Sequence, residues 1–349
     1  MTAAPITVPL AVQNRRHKGR KTMMNRRTLL STAGALALVA GGLAGPALAA
    51  DTTIRVASVT GPTHHHNVSL RWFADQIAAA DVGLKIEVLD GAQLGGERDY
   101  IEGMMLGSIQ MAQVSTAPLS GFIPQFDLFS LPYLIRDTDH FKNVVNGPVG
   151  EEFSALAEER GIKILAWFDN GYRNVFNKVR PINTPDDLDG LKIRVMESPL
   201  MVNTVNAMGG SATPMSYSEL YTALEQGVLD GGENAAGNVL NDKFYEVSGY
   251  YSLTQHFRPP GVVAISMATW NGLDEAQQAA ITEQAAALQE YEIELTGQVG
   301  AEALEELKAK GMEINEADVA SFRDRMGPVY EDFKEKNGAE LLEAVQNTE

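Results

Sequence analysis

Two arginines of this chain have the type and setting needed to hold an anion. Arg194 lies inside the apolar run 191–195, LKIRV, which is typical of a buried strand. Its strand neighbours point to the opposite face, so Arg194 faces either solvent or a cleft. A guanidinium fixed on a strand presents two parallel donors that match a carboxylate. An ion pair with an internal Asp or Glu is the alternative for Arg194, and also for Arg173.

The segment 214–234 adds further polar groups near these arginines in sequence. Tyr217 stands at the start of a predicted helix, where its ring could pack on a ligand. Asn234 offers both a donor and an acceptor. The glycines at 231 and 232 allow the backbone to approach a ligand closely. Alone, the run DGGEN at 230–234 is also consistent with a tight turn.

Signatures of common catalytic and metal sites are missing from the sequence. The chain has no cysteine, which excludes thiol catalysis, thiolate metal sites and disulfides. It has no HExxH, GxxxxGK[ST] or GxSxG motif. The run His64-His65-His66 suggests a metal, but consecutive side chains point in different directions. We therefore expect no metal and no cofactor.

Strand-like and helix-like segments alternate from residue 53 onward. These elements must position the candidate ligand-binding side chains named above. This alternation predicts an α/β fold with largely parallel sheets, and its length suits two domains. A proline-free stretch at 274–310 predicts one long helix along both lobes, unless Gly297 and Gly300 interrupt it. The predicted strands are 54–59, 84–89, 109–114, 162–168, 191–195 and 262–267, and predicted helices include 97–106, 200–208 and 217–226.

The first fifty residues have the order of a secretory signal peptide. Seven basic residues and no acidic one precede an apolar run at about 29–48, which closes on Ala47-Leu48-Ala49. We expect cleavage near Ala49 and export to the periplasm; an N-terminal membrane anchor is the alternative. Arg26-Arg27 also fits a twin-arginine signal, so both the Sec and the twin-arginine route stay open.

Net charge and hydropathy indicate which classes of binding partner are disfavoured. The net charge of −17 disfavours nucleic acid and anionic membrane surfaces. No stretch after the signal approaches eighteen uninterrupted apolar residues, so we expect a soluble mature protein. An anionic ligand is compatible with this charge, because salt screens distant surface charge over about 10 Å.

Several motifs together resemble the solute-binding subunits of tripartite ATP-independent periplasmic (TRAP) transporters, over nearly the whole chain after residue 49. They are GAQLGGER at 91–98, VSTAPLS at 114–120, LPYL at 131–134, GYRN at 171–174, GLKIRV at 190–195 and ELYTALEQGVLDGGEN at 219–234. The set, in this order behind a signal peptide, is highly specific.

The resemblance implies two α/β lobes around a ligand cleft, joined by crossover strands and a long helix. We expect lobe I to comprise 50–170 and 260–297, and lobe II to comprise 171–259 and 298–349. It implies that Arg194 grips the substrate carboxylate and that Arg173 is a second cleft arginine. Further ligand contacts implied by the resemblance are Asn234, Tyr217, Glu97 and His64. Ala235-Ala236-Gly237 depart from the Pro or large residue that many relatives carry after the asparagine.

The expected ligand is a hydroxylated acid, such as a uronate or an aldonate, because the cleft combines Arg, Asn, Glu and His. A C4-dicarboxylate or 2-oxo acid is the alternative, since two arginines could hold two carboxylates. The expected partners are the membrane permease subunits of a TRAP transporter, and we expect a monomer. Other classes stay open: a periplasmic enzyme acting on an organic acid with Glu97 or His64 as base, a binding protein of ATP-driven transporters, and a small-molecule sensor.

Overall fold

The computed structural model describes residues 52–349. The predicted signal peptide, its cleavage site and the arginines before it lie outside the described residues. The described chain is a mixed α/β structure with two sheets, one in each of two lobes. We call the lobe with the five-stranded sheet the first lobe and the lobe with the six-stranded sheet the second lobe.

Both sheets are built from short strands that are largely buried. The strands are β1 (Thr52–Ala57), β2 (Leu84–Leu89), β3 (Met111–Ser115), β4 (Ile162–Phe168), β5 (Arg173–Asn177), β6 (Lys192–Val195), β7 (Ser211–Pro214), β8 (Gly231–Asn234), β9 (Tyr250–Phe257), β10 (Gly261–Ser266) and β11 (Glu313–Glu316). Predicted strands 84–89 and 162–168 coincide with β2 and β4, and the others differ by one or two residues.

Helices cover the faces of both sheets. They are α1 (His65–Ala79), α2 (Glu97–Leu106), α3 (Thr116–Leu119), α4 (Thr138–Val145), α5 (Pro148–Glu158), α6 (Pro199–Ala207), α7 (Tyr217–Glu225), α8 (Ala236–Asn241), α9 (Met267–Trp270), α10 (Glu275–Ala309), α11 (Val319–Arg323), α12 (Gly327–Asn337) and α13 (Glu340–Asn347). Short 3₁₀ helices occupy Pro124–Ser130, Pro185–Leu188 and Phe244–Glu246.

The expectation of largely parallel sheets is wrong, because both sheets are mixed. The order is β2-β1-β3-β10-β4 in the first lobe and β11-β9-β5-β8-β6-β7 in the second. Strand β10 runs antiparallel to β3 and β4, and β5 runs antiparallel to β8 and β9. The physical reason is the chain path: β5 and β10 each enter a sheet directly from the other lobe, so no helical crossover sets their direction.

Three connections join the lobes. The chain passes from β4 to β5, returns from β9 to β10, and passes again along α10. Helix α10 has 35 residues and is continuous through Gly297 and Gly300, which confirms the uninterrupted helix. At about 1.5 Å per residue it spans about 52 Å. Its first turn is capped by the Asp274 carboxylate, which accepts from the Gln277 N–H.

One apolar cluster lies in each lobe, and a third, larger cluster runs through both lobes and includes Phe126 of the first and Ile193 of the second. In the first lobe, Phe73 and Ile77 of α1 pack with Ile281 and Leu288 of α10. In the second lobe, Phe176 of β5 packs with residues of α7 and α8 and with the end of α10. Helix α13 packs on α5 of the first lobe. Helix α10 is therefore part of both cores, which makes it a rigid link between the lobes. No helix among residues 52–349 combines the length and apolar character needed to cross a membrane.

A candidate ligand site in the cleft between the lobes

The cleft between the two lobes contains a polar cavity at the ends of strands from both sheets. Its second-lobe wall comes from β5, β6, β8 and the helices α7 and α8, and its first-lobe wall comes from β3, the loop after β1 and the first residues of α1 and α2. The cavity is lined by Val59, Thr60, His66, Glu97, Gln113, Ser115, Asn170, Arg173, Arg194, Met196, Tyr217, Asn234 and Asn238. Five of the six predicted ligand contacts therefore meet in one place, and the sixth, His64, does not line the cavity.

Arg194 is a buried arginine that forms no ion pair with any residue of 52–349. It lies in the middle of β6, between Ile193 and Val195, which both point into the apolar core. Its Nε donates to the Met215 carbonyl at 2.9 Å. Its Nη1 has no hydrogen-bond partner among the residues that the structure describes. Burial lowers the pKa of Arg194, but from so high a value that the guanidinium stays charged.

Arg173 is also buried, but it is paired. Its Nε and Nη2 donate to the Glu233 carboxylate at 2.5 and 2.9 Å, and Nη1 donates to Asn234 Oδ1 at 2.8 Å. The Glu233 carboxylate raises the pKa of Arg173 against the effect of burial. The internal pair that the sequence left open is thus present at Arg173, whose charge is balanced inside the second lobe.

Asn234 and Tyr217 each use part of their side chain in hydrogen bonds within the protein and leave another part for a ligand. The Asn234 Oδ1 accepts from Arg173 Nη1 and from Asn238 Nδ2, the latter at 2.7 Å. Its Nδ2 has only a long contact of 3.5 Å, to the Tyr217 hydroxyl. That hydroxyl donates to the Asp242 carboxylate, and the Tyr217 ring lies 5.6 Å from the Arg194 guanidinium. An amide N–H and an aromatic face are therefore left for a ligand.

The two glycines before Asn234 serve the sheet rather than the ligand, contrary to the expectation. A Cβ on Gly231 would lie 2.2 Å from the Phe176 carbonyl oxygen, and one on Gly232 would lie 2.8 Å from the Phe176 ring. Both glycines belong to β8, which pairs with β5. The close approach that they permit is therefore between neighbouring strands.

Glu97 enters the cavity from the first lobe. It is the first residue of α2, and its Oε1 accepts from the Ser115 N–H at 2.5 Å. Burial raises the pKa of Glu97, while the Ser115 N–H and the cleft arginines oppose this rise. Glu97 thus brings a hydrogen-bonding carboxyl group opposite the arginines of the second lobe.

His64 contacts the second lobe instead of the cavity. Its Nε2 lies 2.9 Å from Asn238 Oδ1, and its Nδ1 accepts from the His66 N–H at the start of α1. Since Nδ1 accepts, Nε2 carries the proton and donates across the cleft. The Asp242 carboxylate lies 3.9 Å from the same Nε2. His64 therefore joins the two lobes and orients Asn238, which does line the cavity.

The three consecutive histidines lie closer together than expected. Their ring centroids are 4.2–4.6 Å apart, because His64 is extended and the other two begin α1. One nitrogen of each ring lies within 4.8 Å of the others. Both nitrogens of His64 are nevertheless used in hydrogen bonds, so the cluster offers a metal two imidazoles at most. A tetrahedral site needs three or four ligands.

The lobes approach each other closely across the cavity. A Cβ on Gly96 of the first lobe would lie 2.7 Å from the Ser216 hydroxyl of the second. The free space inside the cavity is about 30 Å³, close to the share of one water molecule. The two lobes are thus in contact at the edge of the cavity in this structure.

Several cavity residues were not identified from the sequence. Gln113, Asn170 and Asn238 line the cavity with amide groups. Asn170 stands between β4 and β5, two positions after a predicted buried strand and within a segment already noted for Arg173. Asn238 had no signal in the sequence, because its position depends on how α8 packs against the first lobe.

Comparisons with known proteins agree with this arrangement. A model of the family described as bacterial extracellular solute-binding protein, family 7, matches residues 56–337. The 2,3-diketo-L-gulonate-binding periplasmic protein of Escherichia coli strain K12 is 32% identical over 302 residues, which cover 85% of this chain and 92% of that protein.

Two solved structures are similar throughout. A TRAP periplasmic solute-binding protein from Polaromonas sp. JS666, bound to D-erythronate, has a TM-score of 0.83 at 32% identity and covers 85% of this chain and 99% of its own. One from Roseobacter denitrificans, with bound β-D-glucuronate, has a TM-score of 0.82 at 32% identity. The match covers 85% of this chain and 100% of that chain.

The chain belongs to family 7 of the bacterial extracellular solute-binding proteins. This confirms the family resemblance, the two-lobed α/β fold with its long linking helix, and a role in binding solutes for transport. It also confirms that the protein is not an enzyme. The family is extracytoplasmic, as expected.

Proposed function

We propose that this protein captures a hydroxylated acid with one carboxylate, such as a uronate or an aldonate, and delivers it to a TRAP-type permease. The unpaired charge of Arg194 carries the proposal. A buried guanidinium with an unused donor is costly unless an anion meets it. A ligand carboxylate that accepts from Nη1 supplies the missing partner, and the ring of Tyr217 bounds the same space.

The balance of charges favours one carboxylate over two. Glu233 already neutralises Arg173, so Arg194 is the one buried arginine of the cavity without a compensating ion pair among the described residues. A second carboxylate would have no unpaired arginine of the cavity to meet among the described residues, and burying it without a partner is costly. The alternative ligand, a C4-dicarboxylate, would need two free arginines. Arg173 is not free, because it is paired with Glu233.

The other cavity groups suit hydroxyl groups. Asn234 Nδ2 and the amides of Gln113 and Asn170 can donate or accept, and Glu97 can accept. Hydroxylated acids are also what the compared relatives bind: erythronate, glucuronate and diketogulonate by their descriptions. In this proposal Tyr217 packs on the ligand, and Arg173 contributes at most one donor through Nη1.

His64 acts on the ligand indirectly. Its hydrogen bond to Asn238 forms only when the lobes are together, since the two residues belong to different lobes. We propose that this bond stabilises the closed state. The division of the chain into 50–170 with 260–297 and 171–259 with 298–349 is part of the same proposal, with α13 reaching back to α5.

Export and delivery complete the proposal. Residues 1–49 act as a signal peptide cut near Ala49, through either the Sec or the twin-arginine route, and the mature protein works as a monomer in the periplasm. Its partners are the small carboxylate and the membrane permease subunits. Nucleic acid is not a partner, in line with the net charge of −17.

Thermal-shift screening tests the proposal. Residues 50–349 are mixed with glucuronate, galacturonate, gluconate, glucuronamide, glucose, succinate and pyruvate. A ligand at a hundredfold excess over Kd stabilises the folded state by about 2.7 kcal/mol. A shift with a sugar acid and none with its amide supports the proposal. A shift confined to glucose, or stronger with succinate than with any sugar acid, contradicts it.

A further inference from the structure

A second and larger cavity lies beside the ligand cavity, at the three connections between the lobes. We call it the hinge cavity. It is bounded by the β4–β5 crossover at 169–172, by the segment 235–238 after β8, and by one turn of α10 near Thr296 and Gly300. Its volume is about 280 Å³. That is just below the range of about 300–1,000 Å³ for pockets that hold drug-sized molecules, so a smaller group would fit.

The two cavities share part of their walls. Asn170 and Asn238 line both. His66 lines the ligand cavity, while its neighbour His65 lines the hinge cavity. A ligand in the cleft is thus separated from the hinge cavity by the thickness of a few side chains that end in polar groups. A ligand that extends from one cavity into the other must pass Asn170 and Asn238.

Small residues create the space. Ala235, Ala236 and Gly237 line the cavity on one side, and Gly297 and Gly300 line it from α10. A Cβ added at Gly297 or Gly300 would meet nothing within 4 Å. Glycine in the interior of a helix costs about 1 kcal/mol relative to alanine. Two glycines facing one open space therefore weaken α10 without relieving any clash.

Two buried polar atoms at this wall have no hydrogen-bond partner among the described residues. They are His65 Nε2 and Asn170 Oδ1, on side chains that are 5% and 3% exposed. Asn241 Nδ2 lies 3.5 Å from His65 Nδ1, which leaves the proton on Nε2. Asn170 Nδ2 donates to the Pro259 carbonyl, which leaves Oδ1 as an acceptor. A donor and an acceptor match hydroxyl groups, but both atoms are buried in this structure and reach a bound group only if their side chains turn toward it.

The charges of the hinge cavity cancel. Asp169 and Arg258 both line it, and they form a buried ion pair with a closest distance of 2.5 Å. Burial lowers the pKa of His65 well below its usual value, so that its ring is neutral near pH 7. A group bound here meets amides, an imidazole and small apolar side chains but no unpaired charge. A charged group would lose its hydration without compensation.

We propose that the hinge cavity is a second binding compartment, which takes a neutral, polyhydroxylated group of about the size of one sugar ring. This inference rests on the proposed function, because the acid end of the same ligand would lie on Arg194. The neutral group has two possible sources. It is either a second sugar linked to the acid or a free neutral sugar bound beside it, and the first is favoured by the shared wall at Asn170 and Asn238.

The test compares acids with and without a second sugar. Isothermal titration measures the Kd of gluconate, lactobionate and maltobionate, which are gluconate alone and gluconate with a linked galactose or glucose. A second arm measures the Kd of gluconate and of glucuronate with and without free glucose. The cavity is filled by Gly300→Leu. The control, Ala301→Leu, places the same leucine side chain one residue further on, at an exposed position that does not line the cavity.

We expect at least one linked acid to bind about tenfold more tightly than gluconate. Gly300→Leu should remove this gain and leave gluconate and glucuronate unchanged, while Ala301→Leu behaves as wild type. If free glucose instead changes the Kd of an acid, and Gly300→Leu removes this change, the compartment is supported with a free neutral sugar as its occupant. Binding of gluconate or glucuronate with no gain from a linked or free sugar, or a gain that survives Gly300→Leu, overturns the inference and leaves the proposed function intact. If no sugar acid binds at all, the proposed function fails and the inference with it.

Discussion

The two cleft arginines should differ in what their removal changes. Loss of Arg173 should mainly lower the free energy of unfolding, and loss of Arg194 should mainly lower the affinity for the ligand. Arg173 neutralises Glu233, which is fully buried. Arg173→Met would leave that carboxylate buried without a partner, at a cost of about 3–5 kcal/mol in the free energy of unfolding. Arg194→Met removes no ion partner and loses one bond to the Met215 carbonyl, a loss of about 1 kcal/mol. Removal of a buried, unpaired charge offsets that loss.

Affinity should follow the reverse order. A ligand carboxylate that loses Arg194 stays buried and unpaired, which costs about 2–5 kcal/mol, or roughly thirtyfold to several thousandfold in Kd. Arg173→Met removes at most one donor from the ligand and should weaken binding less. The unfolding free energy of the ligand-free protein is therefore unchanged or higher in Arg194→Met, although this variant binds least.

Urea unfolding without ligand and titration calorimetry with the tightest sugar acid measure the two effects. Arg98→Met is the control, because Arg98 is a partly exposed arginine whose nearest carboxylate, on Glu197, is 3.8 Å away. It should change stability by less than about 1 kcal/mol. A loss of stability in Arg194→Met as large as in Arg173→Met would show that Arg194 is structural. Unchanged affinity in Arg194→Met would refute the carboxylate site.

Other perturbations test the rest of the cleft. Asp242 is half-buried, and desolvation at the cleft raises its pKa to about 6, so the folded state binds its proton more tightly than the unfolded chain. Its stabilising contribution is full below about pH 4 and is lost as pH rises through 6, by up to about 3 kcal/mol; urea unfolding of Asp242→Asn should show a flatter profile, and the same slope as wild type would contradict this. His64→Asn keeps the cap of α1 but cannot reach Asn238, so calorimetry should show ligand binding weakened about two- to tenfold; an unchanged Kd would mean that the bond across the lobes does not stabilise closure. Gly231→Ala should lower the unfolding free energy by about 1–3 kcal/mol, because its Cβ would meet the Phe176 carbonyl, whereas Gly297→Ala should raise it by up to about 1 kcal/mol; equal effects of the two would contradict the packing described.

The sequence was informative where a local pattern decides the structure. Strand β2 alternates apolar and charged residues, β4 is a largely apolar run, and α10 has a capping aspartate and no proline over its length. Arg194 stood out because an arginine inside an apolar strand is rigidly placed. These features depend on neighbours in sequence, and the structure places each of them where the pattern indicated.

Features that depend on distant residues could not be predicted in the same way. Arg173 and its partner Glu233 are 60 residues apart, and His64 and Asn238 are 174 apart. The direction of β5 and β10 depends on the path between the lobes, which strand patterns do not encode. His64 was assigned to the ligand from the first loop after β1, yet its ring turns toward the second lobe because α8 packs there.

The most direct test of the central claim is a crystal structure of residues 50–349 with the sugar acid that binds most tightly. We predict a ligand carboxylate within about 3 Å of Arg194 Nη1, with the Arg173–Glu233 pair intact beside it. A carboxylate held instead by Arg258 in the hinge cavity, or a ligand that leaves Arg194 Nη1 without an acceptor, would contradict it.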